Sequence, residues 1–247
     1  MSEKVFLAGA TGAVGTALIP LLKDAGYVVY GSTRRADRAA GLEALGVLPV
    51  VVDVFDATAL RAALARIAPW GVIHQLTDLP KDLDPKRMAE AAVLNARVRT
   101  EGTRNLVAAA AAAGAKRLVA QSIAWAYAPG AKPFTEDMPL DLGAEGVRRV
   151  SVDGVVALEQ AVLGAPGMTS TVLRYGQLYG PGTSTAEPRG ASPLHVEAAA
   201  VAALLALQRS EGGVFNIAED GGEVSSEKAK RALGWRADAR LPLGAVR

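Results

Sequence analysis

An apolar strand that runs straight into a glycine-spaced turn opens the chain. Residues 4–8 read KVFLA, then come Gly9, Ala10, Thr11, Gly12, Ala13, Val14 and Gly15, and a helical pattern follows over 14–24. Each glycine has a job. Gly9 permits the tight turn, Gly12 lets backbone amides approach a phosphate, and Gly15 lets the helix pack closely on the strand. The start of that helix presents unpaired N–H groups and the positive end of its dipole, which suits an anion. The expectation is a dinucleotide pyrophosphate at this turn, with Gly9, Thr11, Gly12, Ala13, Val14 and Gly15 around it.

The rest of the chain repeats the same alternation. β-branched runs at 4–8, 28–32, 48–52, 71–75, 116–121, 170–174 and 213–217 are predicted as strands. Ala/Leu-rich stretches near 14–24, 36–45, 58–67, 85–113, 148–163, 196–208 and 226–233 are predicted as helices. Strands without polar alternation are what a sheet covered on both faces needs. The predicted fold is α/β, a Rossmann-type doubly wound parallel sheet in the order 3-2-1-4-5-6-7, with ligands at the carboxyl edge. Asp84 before Pro85 reads as the cap of the fourth helix. Gly26, Gly46 and Gly114 read as left-handed helix ends. The Pro/Gly-rich stretches 128–146 and 180–193 read as loops. One domain over 1–247 is expected, with a small C-terminal substrate lobe from segments about 177–195 and 218–247.

Composition removes several function classes. The chain has no cysteine, which excludes disulfides, thiolate metal sites and a cysteine nucleophile. Two histidines make a dense histidine metal site unexpected, and no metal is predicted. A net charge of +2 with interspersed signs gives no nucleic-acid footprint. The longest apolar runs, 106–114 and 198–207, are too short to span a bilayer, and the first residues lack a signal-peptide layout. A cytoplasmic protein with a small-molecule substrate is the expectation.

The second strand ends near Arg34 and Arg35. An NAD-selective site usually carries an acidic residue here for the ribose 2′-OH, whereas a guanidinium grips a 2′-phosphate. The pair favours NADP, with NAD left open; the alternative is two solvated arginines. Asp53, with Val54 beside it, is placed to reach the adenine edge or else to cap its own loop. Gln75, Leu76 and Thr77, at the end of the fourth strand, complete the expected cofactor wall.

These residues resemble the extended short-chain dehydrogenase/reductases, and more narrowly the NAD-dependent epimerase/dehydratase family. The resemblance rests on the Gly9–Gly15 loop, Asp53, Val72 to His74, and Gly102 to Leu106. It continues through Leu173 to Gly182, His195 to Glu197, and Leu233 to Trp235, in that order. It implies a Rossmann core, a small substrate lobe, and a nicotinamide bordered by residues 174–178. It also implies a homodimer through helices 85–113 and 148–163.

One departure is central. The family carries Tyr-x-x-x-Lys at the start of the helix after the fifth strand, where the lysine lowers the tyrosine pKa and holds the ribose. Aligned on Leu158, Glu159 and Gln160, this chain has Ser151 in the tyrosine slot and Val155 in the lysine slot. Ile123 stands where the family has a serine or threonine, with Ser122 adjacent. The segment from Gly182 to His195 is also short.

Replacement chemistry falls to Ser122 and Tyr127 as catalytic candidates, Ser122 also reaching the cofactor amide, while Tyr175 is a candidate cofactor contact. Each hydroxyl has packing or structure as its alternative. Tyr179 reads as structural, His74 as a core histidine, His195 as a helix cap, Asp153 as a solvated carboxylate, and Trp125 as a pocket wall or a packing residue. The leading expectation is an atypical NADP-dependent oxidoreductase acting on a small carbonyl or hydroxyl metabolite between loops 122–146 and 177–195. Two other readings stand beside it: a non-catalytic NADP(H)-binding sensor or partner-binding protein, and a hydride-recycling, sugar-type epimerase/dehydratase.

Overall fold

The computed structural model describes residues 2–80 and 85–241. Seven parallel strands form one sheet. They are β1 (Lys4–Ala8), β2 (Val28–Thr33), β3 (Leu48–Val51), β4 (Gly71–His74), β5 (Arg117–Ile123), β6 (Thr169–Tyr175) and β9 (Gly213–Ile217). Their order is β3-β2-β1-β4-β5-β6-β9, as the alternation predicted. A second, two-stranded parallel ribbon, β7 (Gln177–Tyr179) with β8 (Pro193–His195), was not expected. Strands of three residues are too short to show a period.

Helices cover both faces. On one face α1 (Ala13–Asp24) and α7 (Val196–Arg209) bury Leu18 and Leu22 against the alanines 198, 199, 202, 203 and 206. Alanine lets the helices approach closely while keeping helix propensity high. α2 (Ala39–Ala44) and α8 (Glu227–Leu233) flank them, and Trp235 is fully buried with Nε1 donating to the Ala198 carbonyl at 2.9 Å. On the other face α3 (Ala57–Ile67), α5 (Thr103–Ala112) and α6 (Gly146–Leu163) bury Leu60, Leu64, Leu106 and Leu158. Gly26, Gly46 and Gly114 have positive φ after their helices, as expected. α3 is capped by Asp56, whose Oδ1 accepts from the Ala59 amide at 2.9 Å.

The helix expected over 85–113 is not uniform. A 3-10 turn at Pro85–Arg87 leads into α4 (Met88–Arg97), then a π-turn at Val98–Gly102, then α5. The wide turn leaves carbonyls that the α ladder would have used. Thr100 Oγ1 donates to the Ala96 carbonyl at 2.9 Å, and Thr103 Oγ1 to the Val98 carbonyl at 3.3 Å. The expected Asp84 cap lies outside the described residues, as do residues 242–247 of the expected lobe.

β3 is an outer strand, open along one side, with Pro49 inside it. Among the described residues, no helix is long and apolar enough to cross a membrane.

Candidate active site

The glycine turn is built as the spacing requires. Gly9 has φ +89°, and a Cβ there would lie 2.6 Å from the Gln75 carbonyl oxygen. A Cβ on Gly15 would lie 2.2 Å from the Gly9 oxygen, so the helix start is locked onto the turn. Gly12 differs. Its amide donates to the Gly9 oxygen at 3.1 Å, and an added Cβ would touch only that oxygen, at 3.4 Å. Protein packing therefore does not demand glycine at position 12, and the space above its backbone stays open. Gly12 caps α1 without a side-chain hydrogen bond, and the first amides of that helix, around Ala13 and Val14, stay available to an anion. Thr11 is half-buried beside them. The turn at Gly182 overlies the loop, and a Cβ added there would lie 3.5 Å from Ala13.

At the β2 end, Arg34 pairs with Asp78 (3.3 Å) and Arg35 pairs with Asp37. Both guanidinium groups are exposed. Asp53 uses Oδ1 to accept from the Phe55 amide at 2.9 Å, so it caps its own loop. Asn105 Nδ2 donates to the Val54 carbonyl at 3.0 Å and fixes the loop's height over the sheet. Gln75 is buried at the end of β4; its Nε2 donates to the Tyr175 hydroxyl at 3.3 Å, while Oε1 is buried with no partner among the described residues. An orphaned acceptor beside the Gly9 turn fits a hydroxyl or amide of a bound dinucleotide. The Leu76 amide donates to His74 Nδ1 at 3.2 Å, and Thr77 is exposed. Cradle and orphan together fit a nicotinamide dinucleotide.

The three hydroxyls named as ligand contacts, Ser122, Tyr127 and Tyr175, each hydrogen-bond within the protein. Ser122 Oγ donates to Glu159 Oε1 at 2.8 Å and is buried. Arg174 grips the same carboxylate in a bidentate pair, Nε at 2.9 Å and Nη2 at 2.7 Å. Arg174 Nη1 donates to the Tyr127 hydroxyl at 2.8 Å, and that hydroxyl donates to Asn216 Oδ1 at 2.7 Å. Tyr175, also buried, donates to the Ala199 carbonyl at 3.2 Å. The physical reason is the Arg174–Glu159 pair. Two buried charges need their remaining lone pairs and protons satisfied, and Ser122 and Tyr127 do that.

Protonation follows from the same contacts. Burial works against the Arg174 charge, but the Glu159 hydrogen bonds and charge outweigh it and hold the guanidinium protonated. Burial pushes both Tyr127 and Tyr175 above the ordinary phenol range, so neither is a phenolate near neutral pH. Burial pulls His74 down to about 4. Since His74 Nδ1 accepts from Leu76, Nε2 carries the hydrogen toward Thr103 Oγ1, 2.9 Å away. His74 is thus the core histidine expected. His195 caps α7, its Nδ1 accepting from the Glu197 amide at 3.3 Å.

Sequence reasoning missed Arg99. This residue sits in the π-turn, is 7% exposed, and donates from Nη1 to the Ser151 carbonyl at 3.4 Å. Burial lowers it to about 10, with the Glu159 charge opposing. The signal available was an arginine in a stretch that had to pack on α6, where Gly154 leaves room beside Ala96 and the Arg99 Cδ. The family's catalytic slots hold Ser151, half-buried, and Val155, fully buried.

A cavity of about 390 Å³ opens between the loop after β5 and the segments around Ser192 and Glu223. Trp125, Tyr127 and Phe134 form its aromatic wall, with Lys132, Arg148 and Gln177 at its polar rim. It lies where the sequence placed the substrate.

A family model for the NAD dependent epimerase/dehydratase family matches residues 5–200. The chain belongs to this family. Its match with a 3-diazoavenalumate denitrifying reductase from Streptomyces sp is 37% identical over 239 residues, covering 88% of this chain and 76% of the relative. A solved UDP-glucose 4-epimerase from Thermus thermophilus in complex with NAD superposes with TM-score 0.78 at 19% identity, covering 98% of this chain and 96% of that one. The Bordetella bronchiseptica enzyme WbmG in complex with NAD and UDP gives TM-score 0.73 at 20% identity, covering 98% and 91%. This epimerase/dehydratase member is therefore an NAD(P)-dependent oxidoreductase or epimerase/dehydratase. The two structural likenesses concern the fold alone.

Proposed function

We propose that this family member is an NADPH-dependent reductase that directs hydride to an electrophile needing no proton from the protein. One observation supports the reading: the glycine cradle is complete while the sequence has no Tyr-x-x-x-Lys. Ser151 and Val155 fill those slots, and the hydroxyls nearby are bound to Glu159, Arg174 and Asn216. A carbonyl oxygen needs an acid as hydride arrives, and the slots that hold the family's acid are filled here by Ser151 and Val155.

When bound, the nicotinamide supplies the hydride. The chain's own residues hold and orient it. The Gly12 region and the first amides of α1 would take the pyrophosphate, Gln75 Oε1 would accept a hydrogen bond, and Arg34 and Arg35, now paired with Asp78 and Asp37, would hold the 2′-phosphate. Two exposed guanidinium groups at the end of β2 support NADP over NAD.

The named Streptomyces relative supports a diazo substrate. An arenediazonium ion is already electron-poor at its terminal nitrogen. Hydride adds there to give Ar–N=N–H, reducing the group by two electrons. The N–H hydrogen then passes to the ring carbon as the C–N bond breaks, giving Ar–H and N₂. The dinucleotide ends oxidised, and no protein acid takes part.

The test follows NADPH oxidation and N₂ release with an arenediazonium salt, against a protein-free control. The expected result is one NADPH consumed per N₂, at least 100-fold faster than the control. Tight dinucleotide binding with no acceleration on diazonium or carbonyl panels would overturn the reductase and return the sensor reading. Product formation without net NADPH loss would return the epimerase reading.

A further inference from the structure

The cavity wall specifies more than a reductase does. We propose that the cavity receives a flat aromatic acid, its ring stacked on the Trp125 indole and its single carboxylate on Lys132. The assignment rests on that cleft being the site of hydride transfer.

The wall is flat and stiff. Tyr127 and Phe134 stack in parallel, centroids 5.2 Å apart and planes 6° from each other. The Arg174 guanidinium backs the Tyr127 ring at 5.0 Å from its centroid. Arg148 ties the wall together: Nη1 donates to the Trp125 carbonyl at 3.2 Å, Nη2 to the Tyr127 carbonyl at 3.0 Å, and Nε to Asp141 at 2.7 Å. An aromatic surface held this firmly needs no ordering when a ring arrives.

Trp125 is the vacant stacking surface. It is 44% exposed, and among the described residues no ring stacks on its indole. A large apolar side chain anchored by its own backbone, lining the cavity and 44% exposed, matches a planar π-system. Gly130 and Ala191 line the same cavity and keep it clear of bulk.

The charges set the anion's size. Arg148 is already committed to Asp141 and two carbonyls. Lys132 is half-exposed on a flexible stem and pairs with Glu223. Its ammonium has three donors, so one carboxylate can join Glu223 there. Gln177 Oε1 accepts from the Ser192 amide at 2.9 Å, which leaves its Nε2 as a further donor at the rim. A nucleotide diphosphate would bring two charged phosphates beside the Glu223 carboxylate, whereas an aromatic acid brings one charge.

The experiment uses the full chain saturated with NADP⁺, which cannot donate hydride, so binding is read without turnover. Calorimetry compares trans-cinnamate, cyclohexanecarboxylate and UDP-glucose on the parent and on Trp125→Leu, Trp125→Phe and Lys132→Gln. NADP⁺ affinity within twofold of the parent serves as the folding check for each variant. The expected result is cinnamate binding at least tenfold tighter than cyclohexanecarboxylate, and no heat from UDP-glucose. Cinnamate should weaken at least tenfold with Trp125→Leu and about fivefold with Lys132→Gln, and stay within threefold with Trp125→Phe. UDP-glucose binding tighter than cinnamate, or cinnamate affinity unchanged in Trp125→Leu, overturns the proposal. Loss of reductase activity on every electrophile, with cinnamate bound as described, would instead sink the hydride-transfer reading and leave the aromatic-acid site standing.

Discussion

Glu159 shows how much one buried carboxylate can organise. It accepts from Ser122 and from two nitrogens of Arg174. Glu159→Gln leaves the guanidinium without its counter-charge, and the expected loss is about 3–5 kcal/mol by urea denaturation. His74 gives a pH signature. Its folded pKa is about 4 against 6.5 when exposed, so the unfolded chain binds more protons below pH 6.5. The stabilisation is complete above pH 6.5 and is lost progressively toward pH 4. It should amount to about 2 kcal/mol lost at pH 5 relative to pH 7, a slope that His74→Gln removes. Arg34 tests the dinucleotide choice. Arg34→Ala should weaken NADPH about tenfold and NADH less than twofold, measured by fluorescence titration. Equal losses would place the 2′-phosphate elsewhere. A charged residue inside the apolar run TVLRY was a legible sign that Arg174 had a buried partner. Which partner was not legible, because Glu159 lies on another element and only folding brings the two together.

The glycine turn was readable from its spacing, although the neighbour that crowds Gly9, the Gln75 carbonyl, comes from a distant strand. Its three glycines should respond differently to alanine. Gly9→Ala forces a Cβ to 2.6 Å from backbone at positive φ and should cost about 1–3 kcal/mol of stability. Gly12→Ala has room within the protein, so its stability should stay within about 0.5 kcal/mol while dinucleotide affinity falls at least tenfold. Calorimetry and thermal unfolding of the two variants separate a folding glycine from a binding one. The π-turn at Val98–Gly102 escaped the sequence because one extra residue in a long Ala-rich pattern barely shifts its apolar period. The turn nonetheless decides where Arg99 points, and so which charge stands behind Ser151.

At the scale of the whole chain, strand order followed from alternation and handedness, and the cleft followed from the sheet's carboxyl edge. The cavity's aromatic wall was not foreseen as a unit. Trp125, Tyr127 and Phe134 come from one loop, but loops lack a periodicity that would say which side chains face each other. Dinucleotide binding should act on the entire fold. At a hundred times its Kd, NADPH should add about 2.7 kcal/mol and raise the unfolding temperature by about 5–10 °C, read by calorimetry.

The outermost strand carries a safeguard of its own. The Val52 amide donates inward to the Thr33 carbonyl at 3.0 Å, so by alternation the backbone of Pro49 faces the unpaired side. Proline offers no hydrogen there, which interrupts the row of donors that a neighbouring molecule's strand would zip onto. Leu48 and Val51, both exposed beside it, would otherwise make that border adhesive. Docking of a foreign strand along this margin is thus interrupted by a single imino ring.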